Sequence, residues 1–103
     1  MVKLTVLYNK PTNPQEFDAY YMQVHTPLAK KLPGLKRLEI AHVKGAPGGE
    51  SPYHLIAELY FENMDALKTA MSSPEGKATA KDVGNFVKDK DMVQMFICEV
   101  KES

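Results

Sequence analysis

The order of elements in this 103-residue chain predicts an α+β fold, a four-stranded antiparallel sheet with its helices on one face in the split βαβ arrangement. Three observations carry that prediction. Apolar residues alternate with period two near the N-terminus, from 35 to 44 and from 53 to 61, and a near-continuous apolar run closes the chain. A helical stripe separates the first two strands. A pair of shorter helices separates the third strand from the fourth. At this length one domain, residues 1–103, is expected.

Val2, Leu4, Val6 and Tyr8 alternate with Lys3, Thr5 and Leu7, which gives the first strand one clearly apolar face. Asn9-Lys10-Pro11-Thr12 ends it. Asn13 then caps a helix with Pro14 at its first position and Glu16 three residues on, a capping box with Asn in place of Ser or Thr. Phe17, Tyr21, Val24, Leu28 and Leu32 share one stripe of that helix, with His25 on its flank, and Pro33-Gly34 stops it. Pro27 has no N–H to donate, so the helix is expected to kink or restart there, with Thr26 as a possible cap for the second segment.

In the second strand Leu38, Ile40 and His42 face one way, and Arg37, Glu39, Ala41 and Val43 the other. Residues 45–52, with three glycines and two prolines, form a loop unsuited to a core. It matches no phosphate loop. In the third strand Tyr53, Leu55, Ala57, Leu59 and Phe61 oppose His54, Ile56, Glu58 and Tyr60. Asn63 caps a helix holding Met64, Leu67 and Met71. Ser73-Pro74-Glu75 opens the next, in which Gly76 and Gly84 each cost about 1 kcal/mol relative to Ala. Met92 to Val100 is expected as a strand buried on both faces. Helices cover only one face of such a sheet, yet three strands carry apolar residues on both. A second copy of the chain is the simplest cover, so a homodimer is expected.

Thirteen basic and thirteen acidic side chains cancel, so no field draws in nucleic acid or an anionic membrane. Lys30-Lys31 and Lys36-Arg37 read as the exposed helix end and the strand start. No segment is long and apolar enough to cross a membrane and no signal core opens the chain, which makes a cytoplasmic protein the expectation. Cys98, the only cysteine, excludes an internal disulfide and reads as a buried, inert thiol. No GxGxxG, Walker or CxxC pattern is present.

His25 is the first candidate for chemistry. An imidazole moves protons near neutral pH, and this one adjoins a local disturbance of the backbone; the alternative is a histidine that holds structure at the kink. Tyr21, one turn earlier, is placed to share a hydrogen bond with it or to fill the core. Asp18 is a candidate to orient the imidazole. His42 and His54, on adjacent strands, are candidates to line one cavity. No HxH or HxxxH spacing links the three histidines, so no metal site is expected. Asp82 and Asn85 share a face of the last helix. Gln94 is the polar group expected inside an otherwise apolar cavity. Six methionines, with Tyr8, Tyr60 and Phe96, suggest a soft apolar lining suited to a hydrophobic small molecule.

Val6-Leu7-Tyr8, Tyr20-Tyr21-x-x-x-His25-x-Pro27-Leu28, Pro33-Gly34-Leu35, Pro52-Tyr53, Asp82-Val83-x-Asn85-Phe86 and the closing Val93-Gln94-Met95 with Glu99-Val100 follow one another along nearly the whole chain. In that order they resemble the EthD family of the dimeric α/β-barrel superfamily. The resemblance implies a ferredoxin-like fold and a two-subunit barrel with a cavity between sheet and sheet or helix. It also implies an association with oxidative degradation of ethers and small organic compounds, often labelled as reductase activity. Superfamily relatives include isomerases, cyclases, dehydratases, monooxygenases and haem-degrading enzymes, so the fold itself selects no reaction. The expectation is a homodimeric enzyme acting on a small apolar organic molecule by proton transfer or cofactor-light oxidation. His25 and Tyr21 would be catalytic, with Tyr8, His42, His54, Asp82, Asn85 and Gln94 lining the substrate site. The cofactor is left unknown. The alternatives are haem binding with His25 as axial ligand, and a non-catalytic small-molecule-binding module.

Overall fold

The computed structural model describes residues 1–102. Strands β1 (Val2–Asn9), β2 (Arg37–His42), β3 (Tyr53–Phe61) and β4 (Val93–Glu99) form one antiparallel sheet in the order β2-β3-β1-β4. Helices α1 (Pro14–Tyr20), α2 (Thr26–Ala29), α3 (Met64–Ser72) and α4 (Pro74–Phe86) cover one face of it. This is the ferredoxin-like topology that the element order predicts. Val6, Tyr8, Leu55, Ala57, Leu59 and Phe61 form the buried floor, against Phe17, Tyr21, Ala29, Leu32, Leu67 and Ala70 from the helical layer.

The caps act as their residue types predict. Side-chain oxygens of Asn13, Asn63 and Ser73 accept from the backbone N–H groups of Glu16, Ala66 and Gly76. Gly76 does more than weaken its helix. A Cβ at this position would lie 2.1 Å from the Ala70 carbonyl oxygen, so the corner between α3 and α4 closes only over a glycine.

Pro27 disturbs the long first helix in a specific way. Residues Tyr21–His25 form a π-helical segment, in which the Thr26 N–H reaches back five residues to the Tyr21 carbonyl. The helix therefore carries on through Pro27 into α2 with one residue inserted, rather than breaking. Thr26 is helical and buried; it caps nothing, and its hydroxyl lies 3.9 Å from Met22 Sδ. The inserted residue also rotates the buried stripe. Val24, expected inside, is 40% exposed, while His25, expected on the flank, is 5% exposed.

A second irregularity lies at the start of β3. Tyr8 pairs with Leu55 but Asn9 pairs with Tyr53, so His54 is the extra residue of a β-bulge. Strict alternation would put His54 on the outer face beside Ile56. The bulge turns it instead toward α1.

β4 departs from the expectation of burial on both faces. It is an edge strand, and Met95, Phe96 and Ile97 are each about half exposed in the single chain. The register places Leu7, Ala41, Ile56 and Phe96 on the outer face of the sheet, the face without helices. Lys3, Arg37, Glu39, Glu58 and Tyr60 occupy the other end of that face, where Tyr60 donates to Glu39 at 2.9 Å under the Arg37 guanidinium. Cys98 is half-buried rather than buried, its sulfur 3.9 Å from the Thr5 hydroxyl.

Candidate functional site

The π-helical turn aims His25 into the space between helices and sheet. Its Nδ1 lies 2.9 Å from Asp82 Oδ2 on α4, and both side chains are nearly excluded from solvent. The other oxygen of Asp82 accepts from the Tyr20 hydroxyl at 2.6 Å and from Asn85 Nδ2 at 3.0 Å. A carboxylate buried this far needs such compensation. Burial pushes the Asp82 carboxyl up, but the hydrogen bonds from Tyr20, Asn85 and His25 outweigh it and hold the group below the ordinary carboxylate value. His25 moves the opposite way for the opposite reason. Burial depresses its pKa below the usual imidazole value, and the Asp82 carboxylate offsets that only in part.

With Nδ1–H given to Asp82, the second ring nitrogen keeps its lone pair. The ring forms part of the wall of a partly open cavity of about 70 Å³, together with Tyr8, Tyr21, Leu38, Met71 and Met95. Phe86 stacks edge-on against the imidazole with centroids 4.8 Å apart, and Tyr21 lies at 5.1 Å. Desolvation raises the phenol of Tyr21 to about 12 and raises Tyr8 further still, so both remain protonated hydrogen-bond donors. A larger groove of about 540 Å³ lies on the other side of the pair, lined by Asn13, Phe17, Tyr20, Asn85, Phe86 and Met92 among others. The groove is the roomier of the two, but His25 is not in its lining and borders the smaller cavity.

The structure thus brings together Tyr8, Tyr21 and His25 around the cavity, with Asp82 and Asn85 immediately behind. It separates the rest. Gln94 pairs with Leu7 on the outer face of the sheet, away from His25. His42 and His54 do come together, with ring centroids 5.2 Å apart, but at a different corner and on a different carboxylate. That carboxylate is Asp18, which lies 3.2 Å from His42 Nε2 and 2.7 Å from His54 Nε2. Asp18 therefore does not orient His25; Asp82 does. Two contributors were not singled out from sequence, Tyr20 and Phe86. Both fall inside motifs of the family resemblance, but their partners stand far along the chain, 62 residues in the case of Tyr20 and Asp82, and no local spacing signals them. In the single chain the cavity beside His25, of about 70 Å³, is well below the several hundred Å³ typical of ligand pockets.

Fold and site together define a small ferredoxin-like α+β protein with a buried imidazole–carboxylate pair over an apolar cavity. Residues 9–90 match the EthD domain, and the chain belongs to the EthD family. It is 36% identical over 86 residues to an uncharacterized 11.0 kDa protein from the thcB–thcC intergenic region of Rhodococcus erythropolis, a match covering 84% of each chain. The crystal structure of an ethyl tert-butyl ether D (EthD) family protein from Bacillus halodurans is 38% identical, with a TM-score of 0.92 over 98% of this chain and 99% of that one. Two more distant structures share the fold. SnoaB from Streptomyces nogalater, described as a cofactor-independent oxygenase, aligns as its N63A variant with a TM-score of 0.71 and 13% identity over 99% of this chain and 94% of that one. A protein of unknown function from Bacteroides fragilis, described as dimeric and ferredoxin-like, aligns with a TM-score of 0.65 and 19% identity over 96% and 95%.

Proposed function

We propose that the protein is a homodimeric enzyme that abstracts a proton from a small apolar organic molecule, with His25 as the general base. One observation carries this reading: an imidazole, held through Nδ1 by a buried carboxylate, borders an apolar cavity. Asp82 holds the ring in one tautomer and stabilises the imidazolium as it forms. Tyr21 and Tyr8 line the same cavity, and in this reading they donate hydrogen bonds to the oxygen on which negative charge develops. The cavity must expand to accept more than a very small molecule. Met71 and Met95, flexible thioethers in its wall, allow that. Oxidation without a bound redox group is the second reading, supported by the fold likeness to SnoaB.

The outer face of the sheet supports dimerisation, since Leu7, Ala41, Ile56 and Phe96 have no cover there among the described residues. The description of the Bacteroides fragilis neighbour as dimeric supports it.

The test uses carbon acids in D2O. Small apolar ketones and 1,3-diketones are incubated with the protein, and C–H exchange is followed by NMR. At least one member should exchange faster than in buffer, and His25→Ala should lower that rate by about 10²-fold or more while the fold survives. Exchange that persists at full rate in the folded variant removes His25 from the reaction. Binding without exchange favours a carrier or sensor.

A further inference from the structure

We propose that Asp18, His42 and His54 form a binding site for a divalent late transition-metal ion, Zn2+ in the first instance, at the corner where α1 meets the β2–β3 hairpin. Nothing in the reading of His25 as a base requires this site, and it stands or falls separately.

The argument rests on convergence. Both imidazoles aim Nε2 at the same carboxylate oxygen, Asp18 Oδ1, at 3.2 and 2.7 Å. All three donor atoms lie within 4.8 Å of one another. Ligands bound about 2.1 Å from one ion at a tetrahedral angle stand roughly 3.4 Å apart. Rotation of the two more exposed side chains, His42 and Asp18, brings the donors to that spacing. Without a cation, N–H protons occupy the positions where an ion would sit; with one, the two nitrogen lone pairs and the carboxylate turn onto it.

Each ligand is placed by something other than local spacing. His42 ends β2 in a position paired with Leu55, on the helix side of the sheet. His54 reaches the same side only because the bulge displaces it, and Phe17 holds its ring edge-on at 5.5 Å. Asp18 projects from the first helix one residue beyond Phe17. The cluster is partly open to solvent, with His42 41%, Asp18 34% and His54 15% exposed at the side chain. An ion can therefore enter, and positions beyond the three protein donors remain for water or another ligand. Two imidazoles and one carboxylate suit Zn2+ and its neighbours in the first transition row, and disfavour Mg2+ and Ca2+, which take oxygen donors.

The test is calorimetric titration of tag-free, chelator-stripped full-length protein with ZnCl2, repeated with MgCl2. One Zn2+ should bind per chain, and Mg2+ should produce no comparable heat. His42→Ala and Asp18→Asn should each weaken Zn2+ at least about 10-fold, since loss even of a supporting group around a metal costs 10- to 100-fold. His42 is exposed at a strand end, so its substitution leaves the fold intact even if His54→Ala does not. Cys98→Ser should bind as the parent does. Co2+ should give visible d–d absorption that His42→Ala abolishes. Absence of Zn2+ uptake at micromolar concentration overturns the site, as does uptake that His42→Ala and Asp18→Asn leave unchanged.

Discussion

Asp82 Oδ2 and His25 Nδ1 stand 2.9 Å apart in the protein interior although 57 residues separate them in the chain. The contact ties the first helical segment to α4 within the one helical layer that covers the sheet. It also sets the protonation states on both sides, because an ionised carboxylate so deeply buried is tolerable only with the donors that surround it.

Asp82→Asn should keep the packing and remove the charge. The amide offers Nδ2–H or a neutral oxygen in place of a charged acceptor, so the tautomer of His25 is no longer enforced. Turnover on any substrate identified by the exchange assay should drop about 10²-fold or more. Stability in urea should fall by about 1–3 kcal/mol, since Tyr20, Asn85 and His25 all lose their charged partner. Unchanged turnover would show that the carboxylate only supports the fold.

The pH dependence of stability follows from His25. Its pKa in the folded state lies below 6.5, so between that depressed value and 6.5 the unfolded chain binds more protons than the folded one. The contribution is complete above about pH 6.5 and is lost as the pH falls toward the folded-state value. Asp82 and Asp18 are also lowered and act in the same sense, but only further down, as the pH passes below the ordinary carboxylate range. Urea midpoints should therefore begin to fall near pH 6.5. His25→Gln should flatten that upper limb and leave the acid limb in place.

The glycines of α4 should respond oppositely. Gly76→Ala meets the Ala70 carbonyl at 2.1 Å and should destabilise by about 1–3 kcal/mol or more, or force α3 and α4 apart. Gly84 has open space around its would-be Cβ, so Gly84→Ala should stabilise by about 0.5–1 kcal/mol. Thermal or urea unfolding of the two variants side by side is sufficient.

Phe96→Glu places a charge in the apolar part of the outer sheet face, on an exposed edge-strand position. Light scattering coupled to size exclusion should show the parent as a dimer and the variant as a folded monomer. A parent that is monomeric at micromolar concentration removes the sheet-to-sheet assembly.

The two irregularities of the backbone mark how far sequence reasoning reaches. Pro27 announces a disturbance, but only its surroundings select a π-helical insertion over a break. That single inserted residue exchanges Val24 for His25 as the buried side chain, which a strict 3.6-residue period cannot show. Likewise the alternation in β3 is right from Leu55 onward and fails at His54, where the pairing with β1 slips by one residue. The approach of His42 to His54 is legible from adjacent strands. The carboxylate each cluster uses, Asp82 for His25 and Asp18 for His42 and His54, lies on a separate element and is not revealed by local spacing.

Period-two and helical patterning, caps at Asn13, Asn63 and Ser73, and the breaks at Pro33-Gly34 and residues 45–52 determined the elements, their order and hence the topology. These are short-range effects, decided by backbone hydrogen bonding and by which side chains must leave water within a few residues of one another. The choice of carboxylate for each histidine was decided only in three dimensions. It depends on where separate elements meet after packing, and on one inserted residue in a helix and one in a strand that rotate side chains onto new neighbours.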